Sequence, residues 1–116
     1  MQYMLLIHVD EAAMAAVPPE KAFDMAQPYM AYNEALIKAG AMIGGDRLKP
    51  SALSTVVKVR DDKTEVLDGP FADTKEQLGG YYVIEAPDLD AAIGWASKCP
   101  GARTGVVELR PIWQSR

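Results

Sequence analysis

His8 is the only histidine of the chain, and its position makes it the first candidate for acid–base chemistry. It closes an apolar stretch in which Met4, Leu6 and His8 share one face of a predicted strand. Because imidazole changes its charge near neutral pH, a partly buried histidine beside a carboxylate is able to act as a general acid or base. We expect His8 to face a cleft and to pair with Asp46 or Glu108. The alternative is a histidine at a strand end that hydrogen-bonds to backbone or water.

The other polar candidates come from three further predicted elements. Asp46 ends the second predicted strand after two glycines, where its carboxylate would either orient His8 in a catalytic pair or cap the following turn. Glu108 and Arg110 share one face of the last strand. Because isolated buried charges are costly, these two would form a paired patch that binds substrate, unless they lie at a strand end in water. Tyr29, on the helix predicted over residues 28–39, is a further candidate for substrate binding.

A polar loop is the most distinctive motif of the chain. It reads Asp68-Gly69-Pro70-Phe71-Ala72-Asp73-Thr74-Lys75-Glu76-Gln77-Leu78-Gly79-Gly80-Tyr81-Tyr82. Pro70 lacks a backbone donor and Gly69 tolerates unusual backbone angles, so a rigid corner opens the loop. We expect Phe71 to anchor this corner in the core, and Asp73 and Lys75 to bind polar groups of a substrate. The alternative is a solvated loop whose polar side chains cap a single helical turn.

The elements that position these residues form a predicted α+β fold. Strands are expected at residues 2–9, 41–46, 55–60, 64–67, 81–85 and 105–112. Helices are expected at residues 20–26, 28–39 and 89–98. We expect Pro28 to separate the first two helices and Asp88 to cap the third.

The order of these elements predicts how the sheet is covered. Without the hairpin at residues 55–67, the order is β-α-β-β-α-β, the ferredoxin-like split βαβ pattern. Its helices cover only one face of the sheet. Since both faces of the opening strand are apolar, a two-fold homodimer that stacks two sheets is the simplest way to cover the other face.

The polar loop closely resembles the signature of the DGPF branch of the YCII-related family, in which a glutamate usually stands where this chain has Asp73. The resemblance continues in order over residues 1–7, 44–48, 86–92 and 107–112. It implies a single domain over residues 1–116 and a dimeric α+β barrel. For family members outside this branch, it implies a His–Asp dyad with the histidine on the first helix. The first predicted helix here has no histidine, so His8 is a substitute proposal.

The composition limits the classes of function. With 116 residues, of which 49% are hydrophobic and 24% charged, the chain suits one soluble globular domain. A net charge of −4 argues against a nucleic-acid partner. The longest apolar run, residues 4–7, is too short to cross a membrane, and the first residues lack the basic region of a signal peptide. A single cysteine, Cys99, is typical of the cytoplasm, and one histidine with one cysteine argues against a metal site.

Two functional hypotheses from different classes follow. The first is a protein that binds a small polar metabolite and acts as an acid–base enzyme of the lyase or isomerase type. It would use His8 and Asp46 as catalytic residues, without a metal or an organic cofactor. The second is a non-catalytic ligand-sensing or regulatory module associated with transcription or signalling, favoured by the acidic loop and the missing helix histidine. The fold cannot choose between them, because one architecture hosts unrelated functions.

Overall fold

The computed structural model describes residues 1–114 and shows an α+β fold around one antiparallel sheet. The strands are β1 (Gln2–Val9), β2 (Met42–Arg47), β3 (Thr55–Arg60), β4 (Lys63–Asp68), β5 (Gln77–Glu85) and β6 (Val106–Pro111). Four of them form the main sheet in the order β2-β5-β1-β6, and β3 pairs with β4 in a separate hairpin. Every pairing is antiparallel. Within residues 1–114 of one chain, the main sheet stays open and does not close into a barrel.

The helices of the described chain are α1 (Glu11–Ala15), α2 (Ala22–Lys38), α3 (Leu89–Lys98) and α4 (Gly101–Thr104). The core forms where α2 and α3 meet one face of the main sheet, because alternate strand residues point toward them. Its buried members include Tyr3 and Leu5 of β1, Leu36 of α2, Ile84 of β5 and Ala96 of α3. No helix within residues 1–114 is both long and apolar enough to cross a membrane.

The prediction that Pro28 separates two helices is wrong. α2 runs without interruption from Ala22 to Lys38 with Pro28 inside it. Pro28 is exposed, because it lies in the first part of α2, before the residues that are buried against the sheet. Water is therefore able to solvate the carbonyl group that loses its partner. Tyr32 and Leu36, one and two turns further along α2, are buried in the core and hold the second half of the helix against the sheet.

The strand predicted at residues 81–85 begins earlier, at Gln77. Gly80 pairs with Ile7 on one side and with Arg47 on the other, so the double glycine lies inside the ladder. A Cβ atom on Gly79 would lie only 2.8 Å from Cγ2 of Val9. The strand therefore needs glycine at this position so that the two strands pack closely. The double glycine suggested that the loop continued to residue 80, and this prediction is wrong.

The last predicted helix, over residues 89–98, is confirmed. Asp88 caps it, because its side chain accepts a hydrogen bond from the backbone N–H of Ala91 at 2.9 Å.

The sheet face opposite the helices is called the open face here. It carries Asp46 of β2, Met4, Leu6 and His8 of β1, Tyr81, Val83 and Glu85 of β5, and Glu108 and Arg110 of β6. These positions alternate with the buried ones, as the two-residue period of a strand requires. Met4 and Leu6 remain only half-buried in the single chain. The open face therefore has an apolar middle with polar groups on both sides.

Candidate functional site

A cluster of three charged or titratable side chains lies on the open face where β1 and β6 pair. His8 Nε2 is 3.4 Å from Oε1 of Glu108, and Nη2 of Arg110 is 2.7 Å from Oε2 of the same carboxylate. Glu108 stands opposite Leu6 in the ladder, one step diagonally from His8. His8, Glu108 and Arg110 are called the His8 cluster below. Strand parity predicted that Glu108 and Arg110 share one face of the last strand, and the pairing of β6 with β1 brings that face beside His8.

Arg110 has the largest effect on the protonation of Glu108 in this cluster. Its hydrogen bond and positive charge, with a smaller contribution from His8, hold the pKa of Glu108 below its usual value. Glu108 is therefore an ionised acceptor at neutral pH, facing one imidazole nitrogen. A neutral His8 that donates Nε2–H to Glu108 carries its lone pair on Nδ1. That nitrogen is then free to accept a proton from a bound molecule.

Asp46 is not brought to His8. It lies on β2, which is separated from β1 by β5, and its Oδ2 accepts a hydrogen bond from the Tyr81 hydroxyl at 2.9 Å. This hydrogen bond and the carboxylate charge raise the pKa of the Tyr81 phenol. The carboxylate beside His8 is Glu108, the other partner that the sequence suggested.

Tyr81 is a polar open-face residue that sequence reasoning missed. Its strand partners are Asp46 on one side and Leu6 on the other, and Leu6 in turn faces Glu108. The row therefore crosses all four strands, with the Asp46–Tyr81 pair at one end, Glu108 at the other and Leu6 between them. The alternation of Tyr81 with the buried Tyr82 could have revealed it.

The polar loop is exposed at Asp73 and Lys75, and the binding of a substrate by these two residues stays a prediction. Within residues 1–114 no hydrogen bond or ion pair involves their side chains. The expectation that Phe71 anchors the loop is wrong, because 92% of Phe71 is exposed. The loop follows β4 of the separate hairpin, away from the core. Nor is it a helical turn, since Thr74 Oγ1 donates to the Glu76 carbonyl in an irregular segment.

Tyr29 lies on the other side of the sheet from the His8 cluster. It is on α2 and packs against the core, where a neighbouring pocket opens between α1, α2 and α4. Burial, with a further contribution from Cys99, raises the pKa of Tyr29 to about 12. The structure therefore places Tyr29 and the His8 cluster on opposite faces of the sheet, so they do not form one site.

Among residues 1–114, no three His, Cys, Asp or Glu side chains converge in a way that could hold a metal ion.

Comparison with known proteins assigns the chain to a family. The model of the YCII-related domain matches residues 1–116. An uncharacterized protein of Rhizobium meliloti (strain 1021) is 33% identical over 114 residues, which span 97% of this chain and 92% of that protein. Both matches cover the sheet, the helices and the hairpin described above. The chain therefore belongs to the YCII-related family.

Proposed function

We propose that this YCII-related chain binds a small polar metabolite at the His8 cluster and performs acid–base chemistry on it, as a lyase or isomerase. The observation that carries the proposal is the placement of His8 Nε2 3.4 Å from Glu108 while Arg110 binds the same carboxylate. In this proposal Arg110 attracts an acidic group of the metabolite, and His8 moves a proton. Glu108 orients the imidazole, and the Asp46–Tyr81 pair supplies hydrogen bonds at the far side of the site.

We further propose that two chains form a homodimer through their open faces. Met4, Leu6 and Val83 give this face an apolar middle, and no helix of the described chain covers it. A two-fold pairing would place the ferredoxin-like sheets face to face as a dimeric α+β barrel. It would also enclose the His8 cluster in a cleft and so limit its exposure to water.

We also propose that the chain belongs to the DGPF branch of the family, which the polar loop supports. A cytoplasmic location is supported by the single cysteine.

Ligand binding is tested by thermal shift with a panel of small hydroxy- and keto-carboxylates and their neutral amides. Binding to the native state raises the melting temperature, and we expect carboxylates to do so and amides not. Arg110→Ala should remove the response because it removes the cation of the site. Arg103→Ala, which changes an exposed arginine of α4, should keep it. If no acid raises the melting temperature, or if both variants respond like the parent, the proposed site is wrong.

Catalysis is tested on any ligand found in this way by incubation in D2O. Proton abstraction from carbon next to the carboxylate would replace hydrogen by deuterium, which 1H NMR detects. We expect exchange with the parent protein and at least about a hundredfold less with His8→Gln, given the usual contribution of general acid–base catalysis. Binding without exchange would refute the enzyme and support a non-catalytic sensor. The exposure of Arg110 in the single chain favours this second function, because an exposed cation recognises anions without requiring chemistry.

A further inference from the structure

A concave site lies on the helix side of the sheet and plays no part in the proposed chemistry. It is a cavity of about 170 Å³ between α1, α2 and α4, next to the end of β1. Its lining includes Val9, Met14, Met25, Tyr29, Pro100 and Thr104. The cavity is open to solvent on one side, where Met14 and Met25 are partly exposed. An engineered cavity of about 150 Å³ with an apolar lining binds benzene, so this space suits a molecule with a single ring.

The lining determines which molecules would fit. Among the described residues that surround the cavity, none is charged, so an ionised ligand would lose its hydration without gaining a partner. Met14 and Met25 form two of the walls, and both remain partly exposed. Methionine side chains are flexible and polarizable, and they adapt to aromatic rings. The cavity is therefore suited to a neutral, mainly apolar molecule that enters past these two side chains.

The Tyr29 hydroxyl gives the cavity a polar anchor. The Tyr29 oxygen is held beside the backbone of Gly101, where an added Cβ atom would approach it to 2.7 Å. The same added atom would come within 2.7 Å of Cγ2 of Ile7, so glycine is required for Tyr29 to occupy this position. The Tyr29 phenol is protonated at physiological pH, and burial raises its pKa further above the usual value, to about 12. Its hydroxyl is thus a fixed neutral partner for one hydrogen-bonding group.

We propose that this cavity binds a small uncharged molecule with one aromatic or aliphatic ring and one hydroxyl or carbonyl group, which pairs with Tyr29. The site is distinct from the His8 cluster, because Tyr29 packs on the helix-covered face of β1 whereas His8 is on the open face. The proposal therefore stands even if the acid–base function fails.

The test uses the six methionines of the chain as reporters. The protein is labelled with 13C in the methionine methyl groups and titrated with phenol, benzene or benzoate. We expect phenol and benzene to shift the Met14 and Met25 signals, with a dissociation constant for phenol of roughly millimolar order for so small a ligand. Met4 on the open face and Met30 on the exposed side of α2 should not move. Benzoate should have no effect.

Two variants examine the anchor and the space. Tyr29→Phe should weaken phenol about fivefold, as expected for the loss of one neutral hydrogen bond, and leave benzene nearly unchanged. Met25→Trp should fill the cavity and abolish binding of both, whereas Met30→Trp on the same helix should not. Unchanged Met14 and Met25 signals up to the solubility limit of each probe would overturn the proposal. So would benzoate binding as tightly as phenol, or an equal response of all six methyl groups.

Discussion

Among single residues, Glu108 determines the electrostatics of the proposed active site. It is the one carboxylate that contacts both His8 and Arg110 in residues 1–114. Because the guanidinium binds one carboxylate oxygen, only the other faces the imidazole. Arg110 thus has two effects in the proposal. It keeps Glu108 ionised, and it provides positive charge for an incoming acid.

Arg110→Ala should raise the pKa of Glu108 toward its usual value, because the largest influence that lowers it is removed. His8→Gln should raise it less, and Asp46→Asn should leave it unchanged, since Asp46 bonds to Tyr81. The 13C shift of the Glu108 carboxyl group, followed against pH, measures all three. Because the pKa of Glu108 is lower in the folded than in the unfolded chain, its ionised carboxylate stabilises the folded state. This stabilisation is fully present above about pH 4.5 and is lost as the pH falls through the lowered pKa. An equal response to the arginine and aspartate variants would contradict this geometry.

At the scale of elements, the end of α2 shows how backbone conformation fixes a boundary. Gly40 has a φ of 72°, its N–H bonds to the Ile37 carbonyl, and the Ala41 N–H bonds to the Leu36 carbonyl. These two hydrogen bonds form a Schellman motif, which favours glycine in the left-handed region. Gly94, by contrast, lies in the middle of α3 without a positive φ. In neither position would an added Cβ atom meet another atom within 4 Å.

The same substitution should therefore have opposite effects at these two glycines. Gly40→Ala should lower the free energy of unfolding by about 1 kcal/mol, because alanine is strained in the left-handed region. Gly94→Ala should raise it by about 0.5–1 kcal/mol, because alanine has the higher helix propensity. Urea unfolding monitored by circular dichroism gives both values. Destabilisation by Gly94→Ala would show that α3 has less room than the structure indicates.

For the whole molecule, the open face and the hairpin give the chain an extended shape. The radius of gyration is 16.2 Å and the principal extents are 47 × 47 × 19 Å. A compact domain of this length would have a radius of gyration of roughly 13 Å. Val57, Val59 and Val66 of the hairpin are exposed in the single chain. The flat, extended protomer thus exposes apolar surface both on the sheet and on the hairpin.

We expect the protein to sediment with twice the 12.6 kDa mass of one chain at micromolar concentration. Leu6→Arg should yield monomers, because it would bury an unpaired charge in the middle of the proposed interface. Ile37→Arg, which changes an exposed residue of α2, should remain dimeric. Sedimentation equilibrium distinguishes the two states, and circular dichroism verifies folding. A parent protein of single-chain mass would refute the dimer without bearing on the Tyr29 cavity.

The sequence by itself determined the features that depend on local periodicity. Alternation in β1 placed Met4, Leu6 and His8 on one face, and alternation in β6 placed Glu108 and Arg110 on one face, because strand side chains change sides at every residue. The hairpin and the third predicted helix follow from equally local signals, including the Asp88 cap. Each of these features depends on residues that are close together in the chain.

Only the tertiary structure decided the features that depend on distant residues. The register between β2 and β5 pairs Asp46 with Tyr81, so Glu108 and not Asp46 is the carboxylate beside His8. This pairing cannot be read from the sequence of one strand. Because α2 packs against the sheet, the helix continues past Pro28, although proline by itself favours the end of a helix. The position of the hairpin left Phe71 in solvent despite its apolar side chain. In each case the outcome depends on how the elements are arranged relative to one another, which is established only when the chain has folded.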